Sequence, residues 1–304
     1  MSIFTVKQAI LWGEGRLRAK GIASARLDAE ILLSFALGKP REFLILNPGQ
    51  RITNYQLRAY QNLIKKRAQN YPIAYIVGHK EFYDLDFLVT KDVLVPRPET
   101  ELLVELALDY CRGRACPCPK KATARVAPTK ILDLGTGSGC IGLTLAKHLP
   151  RARVICADIS PKALAVARKN AHQLKLSSVQ FVLSDLLAKV KTTPNIIVAN
   201  LPYLTIDELK EPSISQEPRL ALYGGKDGLA LYEKLFQQLH AIHGNVGLCQ
   251  TAKSDIAKNP CLFLEISESQ GKKITALARR YFPKAKVEIK KDLAGKHRVA
   301  VIKI

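Results

Sequence analysis

Asn200-Leu201-Pro202-Tyr203 closes an apolar run, Ile196–Ala199, and these four residues are the strongest candidates for chemistry in the chain. The run reads as a buried strand, and Pro202 stops regular pairing just beyond it. A carboxamide beside an aromatic ring at a strand end can grip a planar amide or amine. Conjugated nitrogens of that kind are poor nucleophiles. They improve when acceptors hold their hydrogens and turn the lone pair toward an electrophile. The Asn200 side-chain oxygen and the Leu201 backbone carbonyl can be those acceptors, with Tyr203 packed on the planar group. The same tetrapeptide also suits a plain turn.

Upstream, "ILDLGTGSGCIGLTLAKHL" reads as a strand, a glycine loop and a helix, with Asp133 on the strand and Gly135, Thr136, Gly137, Ser138 and Gly139 in the loop. Glycines there allow a tight turn and close approach of a ligand to the backbone. Such a loop also serves dinucleotides. The next strand ends at Asp158, 25 residues after Asp133, where a carboxylate can accept from ribose hydroxyls. Ser160 and Pro161 suit the start of the following helix, with Ser160 as cap. After a third strand, Asp185 can meet an adenine amino group and Leu186 can cover its ring. Asn200 at the fourth strand end completes an adenosine-like site. A dinucleotide enzyme would also need a general acid or base, and no His follows the fourth strand in that role. A methyl donor needs less, because S-adenosyl-L-methionine carries its own leaving group and the protein has mainly to align the reactants. No metal site is expected.

Those strand ends need a sheet to hold them. From Lys130 onward short apolar strands alternate with helices, which predicts an α/β fold with a doubly wound, mostly parallel sheet and its ligand at the carboxyl ends of the strands. Residues 1–78 read as an N-terminal helical bundle. Ser24 is placed to cap a helix whose Leu27, Ile31, Leu32 and Phe35 share a face and which stops at Gly38, and Leu57, Tyr60 and Leu63/Ile64 share another. Residues 79–98 alternate as a linking β-hairpin, and 99–304 form the main domain, with a helix from about Glu99. Residues 111–129 and 241–260 read as insertions, the second as a polar connection.

The chain has 304 residues, 47% of them apolar, and no apolar run of membrane-spanning length. Its N-terminus lacks the layout of a signal peptide, and Glu14, Asp28 and Glu30 argue against a transit peptide, so a cytoplasmic location is expected. Among seven cysteines, only Cys111, Cys116 and Cys118 cluster, with spacing that matches structural zinc poorly. The net charge of +21 favours acidic partners and fits nonspecific RNA contact from a basic surface, and fits a Lys-rich solvated surface equally well. The last 34 residues alone hold 11 Lys or Arg against Glu288 and Asp292.

Taken together, "PRPETE", "ILDLGTGSGCIGLTLA", "ADISPKALAVARKNA", "NLPY", "EPRLALYGGKDGL" and "DLAGKHRVAVIK" resemble the HemK/PrmC family, the N5-glutamine methyltransferases of peptide-chain release factors. The resemblance runs over nearly the whole chain. It implies a Rossmann-like class I methyltransferase domain and methyl transfer from S-adenosyl-L-methionine to the Gln of the Gly-Gly-Gln motif in class I release factors. It further implies that the Gly135–Gly139 loop, Asp158, Leu186 and Asn200 hold the cofactor and that residues 200–203 grip the substrate glutamine. Arg97, Pro98 and Glu99 of "PRPETE" are expected to assist in substrate binding, and the N-terminal helices to dock the release factor.

Two departures stand out. The family usually has Asn-Pro-Pro-Tyr, whereas Leu201 keeps the carbonyl and adds an N–H. Asn-Leu-Pro-Tyr is also similar to the tetrapeptide of rRNA adenine dimethyltransferases, so an adenine N-methyltransferase acting on rRNA or DNA is the alternative. In addition, Leu186 stands where the family often has an aromatic residue.

Overall fold

A computed structural model describes residues 4–113, 129–211, 214–245 and 260–304. Cys116 and Cys118, and most of residues 111–129 and 241–260, lie outside the described residues. The chain divides into two compact units, Met1–His79 with Glu211–Gln216, and Lys80–Lys210 with Glu217–Ile304.

The first unit holds α1 (Val6–Arg18), α2 (Ala25–Leu37), α3 (Arg41–Leu46), α4 (Asn54–Arg67) and α5 (Ile73–Val77). Capping boxes begin two of them: Thr5 with Gln8 on α1, and Thr53 with Gln56 on α4. Ser24 makes no side-chain capping bond, while Gly38 ends α2 at φ 61° as its left-handed cap. The buried face of α2 differs from the expected one. Ala25, Ala29, Leu32 and Leu33 are buried, and Leu27 and Phe35 are exposed. Asp28 turns inward because Arg67 of α4 meets its carboxylate at 2.6 Å, which a buried acid requires. On α4, Tyr60 and Ile64 are buried as expected.

In the second unit, β1 (His79–Phe82) and β2 (Leu85–Leu88) form the hairpin. Phe82 and Phe87 drop into the main core, so the hairpin is part of that core rather than a bare connection. Then come α6 (Glu101–Cys111), β3 (Lys130–Leu134), α7 (Cys140–His148), β4 (Arg153–Asp158), α8 (Pro161–Gln173), β5 (Gln180–Leu183), β6 (Ile196–Ala199), α9 (Ala230–Asn245), β7 (Cys261–Glu265), α10 (Gly271–Tyr281), β8 (Lys286–Lys291) and β9 (His297–Lys303). Helix α9 thus reaches into the stretch read from sequence as a polar connection.

The sheet order is β5-β4-β3-β6-β7-β9-β8, parallel up to β7 and antiparallel at β9 and β8. The central strands are buried on both faces. Ile131, Ile196 and Val198 pack with α6 and α7, while Leu132, Leu134 and Ile197 pack with α9 and α10. Lysines line the edge strand β8, which discourages pairing with another chain. The order reverses between β3 and β6. At such a switch point the connections leave in opposite directions, and a crevice opens at the carboxyl ends.

Candidate functional site

Leu134 is in register with Ala157 of β4 and Ala199 of β6, so the glycine loop, Asp158 and Asn200 emerge side by side. Gly135, Gly137 and Gly139 have φ of 68°, 56° and 86°. Gly135 and Thr136 donate to the Ala157 carbonyl at 2.9 and 3.1 Å, which folds the loop over β4.

Asp133 lies beneath this loop, fully buried, and does not line the crevice. Its Oδ2 accepts from the Thr136 hydroxyl at 2.6 Å and from the Gly142 N–H at 2.9 Å, so it braces the loop against α7. In this structure Asp133 supports the loop from beneath, since it precedes Leu134, the last residue of β3, and points to the inner side of the turn. Burial pushes its carboxyl up to about 7, against the pull of those two hydrogen bonds. Gly142 makes the brace possible, since a Cβ there would stand 2.6 Å from Cys156 Sγ and 2.8 Å from Asp133 Oδ2.

Asp158 does face the crevice. Its two oxygens accept from Gly137 N–H at 2.9 Å and Ser160 N–H at 2.8 Å, and Ser160 caps α8 through Ala163 N–H at 3.2 Å. Burial raises its pKa, with the backbone donors opposing. After β5, Leu186 sits at φ 52°, a conformation that a branched residue adopts only under constraint. The constraint is visible: the Ser184 hydroxyl donates to the Leu186 carbonyl at 2.8 Å, and Leu187 N–H donates to Gln238 Oε1 at 2.8 Å. Asp185 lines the crevice and pairs with Lys234 of α9.

At the end of β6, Asn200 Nδ2 donates to the Thr100 hydroxyl at 3.2 Å. Leu201 is buried, and its N–H, which a proline would lack, lies near the Tyr232 hydroxyl. The Tyr203 hydroxyl donates to Glu265 Oε1 at 3.3 Å, and burial raises the Tyr203 pKa. The "EPRLALYGGKDGL" segment folds back on this tetrapeptide. Leu204 pairs with Tyr223, and Gly224 approaches so closely that a Cβ would meet the Pro202 carbonyl at 2.4 Å. Glu217 of the same segment pairs with Arg97 and accepts from Val95 N–H at 3.1 Å.

The crevice is a cavity of about 290 Å³. Of the residues singled out from sequence, Gly135 through Ser138, Asp158, Asp185, Leu186, Asn200, Leu201, Pro202 and Arg97 line it. Gly139, Pro98, Glu99 and Tyr203, like Asp133, do not. Thr100 lines it and was missed, although it stands inside "PRPETE". Glu265 was missed as well. A lone acid ending the apolar strand "CLFLE" marked its position but not its role.

Comparison with known proteins settles the family. A profile described as PrmC N-terminal domain matches residues 8–78, and one described as methyltransferase small domain matches 121–216. A release factor glutamine methyltransferase of Moorella thermoacetica is 37% identical over 97% of this chain and 96% of its own. The chain belongs to the release factor glutamine methyltransferase family.

Another member of that name, from Rhodopirellula baltica, is 40% identical over 76% of this chain and 78% of its own. The chain also matches a bifunctional methyltransferase of Rickettsia felis at 33% identity over 97% of its own length, and spans 57% of that longer protein. Among solved structures, the hMettl16 catalytic domain bound to a MAT2A 3'UTR hairpin superposes with a TM-score of 0.53 at 13% identity, over 89% of this chain and 90% of that one. That likeness shows the fold alone.

Membership in the glutamine methyltransferase family implies S-adenosylmethionine, and the residues present fit it. The cavity is near the lower end of small-molecule sites in size. It offers an acceptor carboxylate at Asp158, an apolar wall at Leu186 and, at Ser138, a buried hydroxyl on the wall. Among the described residues, no cluster of three or more His, Cys, Asp or Glu is arranged to hold a metal ion, and no helix is long and apolar enough to cross a membrane.

Proposed function

We propose that this protein transfers a methyl group from S-adenosylmethionine to the side-chain amide nitrogen of the Gln in the Gly-Gly-Gln motif of class I release factors. The observation that carries the reading is that Asn200, Leu201 and Pro202 share one cavity with the glycine loop, Asp158 and Leu186, in a chain of this family. When bound, the cofactor supplies a methyl group on a sulfonium, which leaves without acid assistance.

The protein's own residues then divide the work. Asp158 accepts from the ribose hydroxyls, and Asp185 and Leu186 hold the adenine. Asn200 Oδ1 and the Leu201 carbonyl accept the two hydrogens of the glutamine amide and turn its nitrogen lone pair toward the methyl group. The nitrogen's proton leaves after transfer, so no strong base is needed at the outset. Tyr203, tied to Glu265, fixes the far end of the tetrapeptide. Arg97 holds the crevice mouth through Glu217.

The test is transfer of labelled methyl from S-adenosylmethionine to a class I release factor, beside a Gln→Ala variant of its Gly-Gly-Gln motif and a ribosomal RNA control. Label on the release factor, lost in the variant, is expected. Label on RNA alone would replace this reading with nucleic-acid methylation and make the +21 charge the informative feature.

A further inference from the structure

Thr100, Asn200 and Glu265 come from three places in the sequence and meet beside the cavity. Ala199 of β6 is in register with Leu264 of β7, so the next residues, Asn200 and Glu265, stand side by side at the carboxyl edge of the sheet. Thr100 closes the short turn before α6 and lies against both.

The direction of the hydrogen bonds between them follows from donor counting. A threonine hydroxyl has one hydrogen. Thr100 Oγ1 accepts from Asn200 Nδ2 at 3.2 Å, and the same hydroxyl lies close enough to Glu265 to favour its charged form. An ionised carboxylate only accepts. The Thr100 hydrogen therefore goes to Glu265, its lone pair takes the Asn200 N–H, and Asn200 Oδ1 is left as the acceptor end of that amide.

We propose that Glu265 is a positioning residue which, through Thr100, sets the polarity of the Asn200 amide so that its oxygen meets the substrate nitrogen. The inference rests on the reading of Asn200 as acceptor for a glutamine amide. Protonated Glu265 can instead donate. Thr100 is then free to donate to Asn200 Oδ1, the amide turns over, and its N–H groups face the N–H groups of the substrate.

Glu265 is poised for that change. It is 1% exposed, and burial pushes its carboxyl up to about 7. Thr100, Arg298 of β9 and the Tyr203 hydroxyl favour its charge, Glu99 opposes it, and the Tyr232 hydroxyl of α9 bonds its backbone carbonyl. Arg298 is itself held by Asp292 at 3.0 Å, and the Cys140 thiol of α7 also feels the Glu265 charge. Glu265 Oε2 makes no hydrogen bond of good geometry, so the carboxylate is poorly compensated where it stands.

The experiment measures kcat and KM for methyl transfer to a release factor from pH 6 to 9 in the wild type, Glu265→Gln, Thr100→Val, Thr100→Ser and the Glu265→Gln/Thr100→Val double variant. Calorimetric S-adenosylhomocysteine binding and a melting curve accompany each. Wild-type kcat should rise by up to about tenfold in all, with an inflection near pH 7, and then level. Glu265→Gln should flatten that profile and lower kcat about 10-fold, with KM within about 3-fold and product affinity unchanged. Thr100→Val should lose the inflection and about 100-fold in kcat, Thr100→Ser should restore most of it, and the double variant should be no slower than Thr100→Val.

An inflection that persists in Glu265→Gln would place the titration elsewhere, as at Asp133, which is also pushed to about 7, and would overturn the inference. A double variant in which the two losses multiply would do the same. Should Glu265→Gln fail to fold, the Thr100 pair carries the test alone. Wild-type enzyme that labels no glutamine would sink the underlying reading as well, whereas wild-type labelling with a normal Glu265→Gln profile sinks this inference only.

Discussion

Arg97 and Glu217, 120 residues apart in the chain, form an ion pair at the cavity in which one partner is nearly enclosed and the other is not. The Glu217 side chain is 1% exposed and the Arg97 side chain 36%. This asymmetry ranks their variants. Arg97→Ala leaves a carboxylate buried with, among the described residues, only the Val95 N–H as a donor, and should cost about 2–3 kcal/mol, at or just below the lower end of the range for a broken buried pair because Arg97 is partly exposed. Glu217→Gln keeps an acceptor for Val95 and lets Arg97 turn to water, and should cost about 1 kcal/mol. Urea denaturation gives both values. The reverse ranking would mean that the pair is not buried in solution.

Gly142 is the glycine least open to change around the loop, although it lies outside the Gly-x-Gly-x-Gly pattern. The Cβ of Gly142→Ala would press on Cys156 Sγ and Asp133 Oδ2, both packed in the sheet. Gly135→Ala places its Cβ 3.1 Å from the Leu201 side chain, which can shift, and adds the cost of φ 68°. Overpacking at residue 142 should cost about 2–3 kcal/mol and the left-handed conformation at 135 about 1–2. Thermal melting should rank them so. Product affinity should fall further in Gly135→Ala relative to its stability loss, since residue 135 lines the cavity.

Asn200→Ala separates the two jobs assigned to the strand ends. It removes one acceptor for the substrate amide while leaving the glycine loop, Asp158 and Leu186 in place. Turnover should fall by about 100-fold or more, the loss seen when a preorganised hydrogen-bond partner is removed from a reacting centre. Calorimetric S-adenosylhomocysteine affinity should drop by less than about 10-fold. Near-wild-type turnover would remove Asn200 from the mechanism.

What could be read in the chain, and what could not, divides by the range of the information. Apolar runs ended by Gly, Asp or Asn are local patterns, so β3, β4 and β6 and the residues at their ends were legible. So was the family, because "PRPETE" and "EPRLALYGGKDGL" are specific in themselves. Thr100 and Glu265 were not, because their roles exist only once β6 and β7 lie in register and the turn before α6 comes to rest on them. For Asp133, proximity to the loop did not say which side of the sheet the side chain takes, and in this structure it braces the loop from beneath. On α2, two apolar stripes compete, and small residues at Ala25 and Ala29 with the Asp28–Arg67 pair decide for the one that buries an acid.

Glu265 offers a last test, in which stability and turnover should move in opposite directions. Its carboxyl is at about 7 in the folded protein against an ordinary 4.5 in the unfolded chain. Below pH 4.5 both states are protonated and burial of the group is uncharged. As pH rises from there to 7, the unfolded chain gives up the proton first, so folding loses stability, and above 7 the loss is complete. Glu265→Gln removes that loss. It should therefore stabilise the protein by up to about 3 kcal/mol at pH 8 and by little at pH 4.5, Asp133 contributing equally to both proteins and cancelling. Urea midpoints at the two pH values measure the difference. A gain at pH 8 paired with slower methyl transfer would show that the wild type carries a buried charge at a stability cost because the orientation of Asn200 depends on it. An equal effect at both pH values would show instead that the substitution acts through packing.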